Sequence, residues 1–421
     1  MASTEEDCIV IGAGIVGVSS AIHLLRRGRR VTLVDRRGPG EETSYGNAGV
    51  VEREGLVPIT FPSSLAALVA FALNRTTEAH YHASALPAVW PWLMALRRFS
   101  RPDAVERYAA ASNALEALAW EDHRMLAEAA GAAGLFRETG WLRLYRTAAG
   151  FREAERGLLP KAAAYGASAV PLSPEEVVAE LEPHLSPVFH RAILCADTRS
   201  VSSPGDVTKA YARHFAASGG VILVAEVASI APVDGAGWTV ALRDGSVRRA
   251  RDVVVAAGPW AGDLLAPLGY RFPLAVKRGY HRHYRPKGNA ALARPVVDME
   301  EGFVITPMKD GIRLTTGIEF ARRDAPPTPV QVGRAVAKAR DLFPLGEGVE
   351  PKPWMGARPC FPDSLPMIGP APRHAGLWLA IGHGHLGFTE GPVTGRLLAT
   401  MMAGEPTPID MAPYRTDRFA T

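Results

Sequence analysis

The run Cys8-Ile9-Val10-Ile11-Gly12-Ala13-Gly14-Ile15-Val16-Gly17 constrains this chain more than any other segment. Four apolar residues without polar alternation read as a strand buried on both faces, and three glycines at the spacing G-x-G-x-x-G follow at once. Ile15, Val18, Ile22 and Leu25 then recur on one helical face. Strand, glycine corner and helix in that order open a dinucleotide-binding unit. In such a unit Gly12 makes the tight turn, Gly14 lets a pyrophosphate approach the backbone, and Gly17 packs the helix on the strand. The helix N-terminus, with Ile15 and Val16, offers free N–H groups to phosphates. Gly28 ends the helix and Arg30 to Asp35 reads as the second strand. Asp35, 18 residues after Gly17, is placed to accept a hydrogen bond from a ribose hydroxyl. Structural readings stay open for single residues: a glycine turn can serve packing alone, and Asp35 can begin a loop.

A length of 421 residues exceeds what one core usually supports, so two domains sharing an interface are expected. Hydrophobic residues make up 47% and charged residues 21%, with apolar stretches spread between turn signals, which predicts a globule. The net charge of +4 has no basic block behind it; Arg26, Arg27, Arg29 and Arg30 follow a helix end, where cations face the negative dipole end. No nucleic-acid partner is expected. Cys8, Cys195 and Cys360 form no CxxC pair, which fits a reducing compartment. Met1 to Asp7 is polar and acidic and runs straight into the first strand, so a cytoplasmic protein is expected. No apolar run approaches the roughly 18 residues of a membrane span. Leu65 to Leu73 and Leu86 to Leu96, with Trp90 and Trp92, read as core helices or as an interfacial segment in peripheral contact with the inner face of a membrane.

The chain leaves the nucleotide-binding rhythm and returns to it. A loop carries Thr43-Ser44-Tyr45-Gly46-Asn47-Ala48-Gly49, small and polar enough for a ring or diphosphate to lie close. Residues 100 to 134 have helical composition and are expected to cap the substrate side. Pro204 opens a helix to Phe215, Val221 to Val224 reads as a strand, and Trp238 to Gly258 reads as a hairpin leading back into a parallel sheet. Short alternating runs between Phe272 and Glu319 predict an antiparallel sheet. The fold class is therefore α/β: a discontinuous Rossmann-like dinucleotide-binding domain (1–58, 200–266 and 352–421) plus an α+β substrate domain with an antiparallel sheet (59–199 and 267–351). Near the C-terminus Leu377 to Ile381 and Gly382-His383-Gly384-His385-Leu386-Gly387-Phe388-Thr389 form a second strand, glycine turn and helix start. A helix N-terminus aimed at a flavin pyrimidine would stabilise the negative charge of the reduced ring, which favours FAD over NAD.

With these segments assembled, the chain resembles the D-amino-acid oxidase-like flavoproteins, and among them the D-amino-acid dehydrogenases. The likeness rests on the first glycine corner, Thr43-Ser44 with Asn47-Ala48-Gly49, Ala256-Ala257-Gly258-Pro259-Trp260, Gly356-Ala357-Arg358-Pro359 with Asp363 and Pro366, and Gly382-His383-Gly384 with Leu386-Gly387. It implies non-covalent FAD, with ADP from Gly12 to Asp35 and flavin against Ser44 to Gly49 and Gly384 to Thr389. Arg36, Val227, Ala257, Gly258 and Trp260 are further cofactor positions. It also implies transfer of the Cα hydrogen of a small amino acid to flavin as hydride, release of an imine, and delivery of electrons to an acceptor other than oxygen, such as a quinone. Orientation over the ring does most of the work.

Arg358 resembles the family's carboxylate-binding arginine; a salt bridge to Asp363 is the alternative. Tyr280 either completes the carboxylate contact or packs in the core, and Arg278 and His281 share its strand. The cationic stretch Lys277 to Tyr284, and His385 where the dehydrogenases more often carry a small polar residue, depart from the pattern. They point to a bulkier or more polar substrate, such as a hydroxylated proline or another secondary amine. Further alternatives are a flavin-binding electron-transfer subunit and an NAD-linked dehydrogenase. No metal is expected, although His281/His283 and His383/His385 have the spacing for one. Cys360 reads as a buried thiol rather than a flavin attachment point.

Overall fold

The computed structural model describes residues 6–62, 64–74, 76–233 and 237–419. Most of the acidic N-terminal stretch, residues 1–5, lies outside them. The first sheet has five parallel strands in the order Val221–Val224, Val31–Asp35, Glu6–Ile11, Val247–Val255, Leu377–Ile381. Its central runs, Cys8 to Ile11 and Val253 to Val255, are apolar without alternation because both faces are covered there. Cys8 and Val10 belong to one hydrophobic cluster, with the helices Ile15–Leu25, Pro204–Ala217 and Gly387–Met402. Ile9 and Ile11 belong to another, with Trp238, Val240, Leu264 and Phe361. Trp238–Leu242 and Val227–Pro232 extend the long strand Val247–Val255 as an antiparallel meander.

The first and last helices cross closely because of small residues. A Cβ on Gly395 would stand 2.5 Å from the carbonyl carbon of Ser19. This contact brings chain segments nearly 400 residues apart onto one face of the sheet.

The second sheet is built around the 12-residue strand Ala275–Pro286. Trp354–Cys360 and Leu345–Gly348 pair antiparallel with it, as do Ile318–Phe320 and Gly311–Thr316. The sheet continues through Phe303–Met308, Val296–Asp298, Trp141–Tyr145, Arg191–Cys195 and Val170–Leu172, while Ala79–Tyr81 flanks Ile318–Phe320. It is mixed rather than purely antiparallel, since Val296–Asp298 and Ala79–Tyr81 each make a parallel pairing. The strand bearing Arg358 thus belongs to the second sheet, although residues 352–421 were expected in the nucleotide domain.

The helix Pro102–Ala129 also departs from expectation. It packs on the nucleotide domain: Tyr108, Ala111, Leu115 and Leu126 share a cluster with Val393 and Leu397. Asp122 takes a two-pronged ion pair from Arg396, at 2.7 and 2.9 Å. An apolar stripe records that a face is buried, not which layer covers it.

Among the described residues no helix is long and apolar enough to cross a membrane. In Leu86–Phe99, Trp92, Leu93 and Leu96 are buried against Phe320 and Cys360. Leu65 and Trp90 are exposed, at 77% and 57%.

Candidate active site

One cavity of about 420 Å³ touches both glycine corners. At the first, Gly12 turns at φ +104°, and its N–H donates to the Val34 carbonyl at 2.8 Å. A Cβ there would lie 2.4 Å from the Ala256 oxygen, and one on Gly17 only 1.8 Å from the Gly12 oxygen. A Cβ on Gly14 would meet only the Ser44 hydroxyl oxygen, at 3.2 Å. That hydroxyl oxygen accepts from the Ile15 N–H at 2.9 Å, tying the Thr43–Gly49 loop to the helix start. Asp35 accepts backbone N–H groups from Ala13, Arg37 and Gly38, so its carboxylate is fixed against the corner. Val227, Ala257, Gly258 and Trp260 line the same end, where the Arg36 guanidinium stacks 3.8 Å above the Trp260 ring.

The other end is lined by Gly46, Asn47, Ala48, Glu52, Trp141, Thr315, Trp354, Arg358 and residues 382–389. The Thr43 hydroxyl donates to the Ala357 carbonyl at 2.7 Å. Arg313 donates to the carbonyls of Tyr45 and Asn47 at 2.9 and 2.6 Å, clamping the loop. Asn47 Oδ1 accepts from the Gly49 N–H at 2.7 Å, and Gly49 adopts φ +76°. At the second corner Gly382 and Gly384 have φ +83° and +56°. Leu386, Gly387, Phe388 and Thr389 then begin the last helix.

Arg358 stands on the cavity wall without a carboxylate partner among the described residues; Nη1 donates to the Gly317 carbonyl at 3.2 Å. Burial holds its guanidinium below the ordinary value. The alternative pairing with Asp363 does not occur, because Asp363 is held by Arg418 at 2.7 and 3.3 Å. Arg358 lies across Gly279, where a Cβ would come within 2.6 Å of Nη2. Gly279→Ala is therefore expected to push the guanidinium aside and raise KM about 10-fold, a loss near 1.4 kcal/mol, with kcat less affected. Steady-state kinetics of the variant check this.

Tyr280 borders the cavity, but its hydroxyl is committed elsewhere. It donates to Glu319 at 2.8 Å and accepts from the Thr328 N–H at 2.8 Å and Arg278 at 3.2 Å. None of these partners lines the cavity, so its ring forms wall and its hydroxyl braces Arg278–Glu319. His281 stacks on Trp354 with centroids 4.8 Å apart, and burial pulls its imidazole down to about 2. His385 lines the cavity. Enclosure by protein, with Arg358, Lys277 and Arg143 nearby, pulls it down to about 4, so the ring is neutral near pH 7. His283 is engaged by Glu350 and Arg313, and His383 by Thr394. Among the described residues no cluster of three His, Cys, Asp or Glu could hold a metal.

Glu52, Trp141, Arg313 and Trp354 were not read from the sequence as site residues. Glu52 stands only three residues beyond Gly49, an acid at the end of a loop otherwise small and neutral, and that position was a usable signal. Arg313 carried none, because its role depends on pairing across the second sheet.

Two strand–glycine–helix corners on one cavity, which also takes in an arginine of the second sheet with no carboxylate partner among the described residues, define a dinucleotide-dependent oxidoreductase. The chain belongs to the DAO family, FAD dependent oxidoreductase, whose sequence pattern matches residues 7–401. It is 30% identical over 417 residues to a D-amino-acid oxidase of Bradyrhizobium diazoefficiens, covering 97% of this chain and 98% of that one. It is 32% identical over 429 residues to a D-amino acid dehydrogenase of Paramagnetospirillum magneticum, covering 98% and 99%. Its fold matches glycine oxidase from Geobacillus kaustophilus with a TM-score of 0.74 at 24% identity, covering 99% and 100%.

The residues present fit FAD. The first helix has no acid in its first turn, so its positive dipole end is uncompensated toward the cavity. The last helix has one acid there, Glu390, which burial holds well above the ordinary carboxylate range and hence neutral. Both helix starts can therefore favour negative charge, at a diphosphate and at a flavin ring respectively.

Proposed function

We propose that this protein oxidises the carbon–nitrogen bond of a small D-amino acid and passes the electrons to an acceptor other than oxygen, a quinone being the chemical class. The observation that carries the substrate class is Arg358: a half-buried guanidinium on the cavity wall, without a carboxylate partner among the described residues, matches the acid group of an amino acid. The names of the two relatives at 30% and 32% identity support the D-configuration, and the second supports the dehydrogenase reading.

FAD, held at the two glycine corners, would supply the acceptor for the Cα hydride. Arg358 would hold the carboxylate, while Trp354 and the Tyr280 ring wall the substrate end. His385, neutral near pH 7, adds a polar contact without a competing charge. Orientation then supplies most of the rate enhancement. An imine formed from a primary amine hydrolyses to a keto acid and ammonia.

Anaerobic titration of the purified yellow protein with a panel of D-, L- and N-alkyl amino acids tests this reading. Bleaching of the flavin band by a D-amino acid, with one ammonia released per flavin, is expected. Reoxidation should be faster with a soluble quinone than with air. A protein that no amine bleaches would be an electron carrier and not this enzyme.

A further inference from the structure

Glu52 follows the short strand Val50–Val51 and lines the same cavity as Arg358. Its backbone N–H donates to the Thr389 hydroxyl oxygen at 3.1 Å, in the first turn of the last helix. Titratable groups face it from its own loop and from three further elements. Glu54, two residues on, accepts from Trp141 Nε1 and from the Thr198 hydroxyl. Arg143, from the strand Trp141–Tyr145, brings Nη1 to 3.9 Å of Oε1. Glu390 comes from the last helix. Glu116, on Pro102–Ala129, accepts from the Gly55 N–H and the Ser112 hydroxyl, both at 2.9 Å.

One guanidinium, facing Glu52 and Glu54, cannot keep this whole group of carboxyls ionised. Burial lifts Glu116 and Glu390 well above the ordinary range, so they stay protonated. Glu52 is pushed up to about 7 by burial and by Glu54, with Arg143 acting against them. Of the four, only Glu52 borders the cavity. It is thus poised between its two protonation states at working pH, which suits a general base.

We propose that Glu52 is a catalytic residue that takes a proton from the substrate's ammonium group, so that the amine reacts in its neutral form. This inference rests on the reading of the cavity as an amino-acid oxidation site. An N–H bond breaks, its electron pair stays on nitrogen, and the proton moves to a carboxylate oxygen of Glu52. The nitrogen pair then forms the C=N bond as the Cα hydrogen leaves with two electrons for FAD. The substrate is oxidised by two electrons, the cofactor is reduced, and the Glu52 proton returns to solvent.

The test uses the holoenzyme and two readouts between pH 5.5 and 8.5. The first is binding of 2-aminoisobutyrate, which has no Cα hydrogen to lose, followed through the flavin absorbance and compared with isobutyrate, which lacks the amine. The second is the rate at which a subsaturating amino acid bleaches the flavin. Wild type is expected to lose about 30-fold in 2-aminoisobutyrate affinity and in bleaching rate from pH 8.5 to 5.5, the span set by a group titrating near 7, while isobutyrate affinity does not fall. Glu52→Gln should remove both breaks, and Glu54→Gln, which leaves Glu52 in place, should move them to lower pH. If amino acids bleach the wild type but neither break exists, or if the breaks persist in Glu52→Gln, the base assignment is wrong while the oxidation reading stands. If no amine bleaches the wild type, the oxidation reading itself fails.

Discussion

Replacing Arg358 with methionine is expected to lower kcat/KM for the amino acid about 1000-fold while leaving a folded, yellow holoenzyme. Among the described residues the guanidinium meets no carboxylate, and it donates to the Gly317 carbonyl. Its removal therefore leaves no anion behind in the free protein. In the complex, however, the substrate carboxylate would lie in an enclosed site without its counter-charge. Removing one member of such a pair costs about 2–5 kcal/mol, and 4 kcal/mol corresponds to roughly 1000-fold. Arg358→Lys restores charge without the planar fork and should recover only part of the loss. Flavin content should stay at wild-type level in both variants, because Arg358 belongs to the second sheet and not to either glycine corner. A methionine variant with unchanged kcat/KM would remove the carboxylate anchor from the reading and favour an electron-transfer role.

The parts legible from sequence are those whose structure is settled within a few residues. The first corner is one: four apolar residues, three glycines and Asp35 all act on neighbours within the same βαβ unit. The second corner, Gly382 to Thr389, is another, and so are the hairpin and the helix from Pro204. The parts that were not legible depend on contacts across long stretches of chain. Tyr280 gives its hydroxyl to Glu319, 39 residues on, and receives the Thr328 N–H, 48 residues on. No local pattern separates that arrangement from a tyrosine facing substrate. Glu52 is marked in the sequence only by its nearness to Gly49; its titration depends on Arg143, Glu116 and Glu390, which reach it from three distant elements. The helix Pro102–Ala129 has the amphipathic pattern of any packed helix, and only the tertiary contacts to Val393 and Leu397 place it over the nucleotide domain. Arg358 was singled out by its resemblance to a family motif, whereas its lack of pairing with Asp363 rests on Arg418 capturing that carboxylate from 55 residues away.

The largest effect on the fold itself is expected at Gly17. An alanine Cβ there would sit 1.8 Å from the Gly12 oxygen, 3.0 Å from the Gly12 carbonyl carbon and 3.4 Å from the Ala256 Cβ. The nearest atoms are backbone of the glycine turn, which no rotamer change can move. Relief requires the helix Ile15–Leu25 to lift from the strand Glu6–Ile11, and that shift also pulls the helix away from Gly387–Met402. Overpacking of this kind typically costs 1–3 kcal/mol and more where backbone must move, so about 3 kcal/mol is expected for Gly17→Ala. The same displacement moves the phosphate-facing N–H groups, so the variant should purify without bound flavin. Gly14→Ala meets only a hydroxyl oxygen on a loop, at 3.2 Å, and should keep partial flavin binding. Gly262→Ala has nothing within 4 Å and lies in the helix Ala261–Leu265, so it should be neutral or slightly stabilising. Flavin-to-protein absorbance ratios and thermal midpoints of the three variants should therefore fall in the order Gly262, Gly14, Gly17. A yellow Gly17→Ala protein with the wild-type midpoint would mean that the helix does not rest on the glycine turn as closely as described.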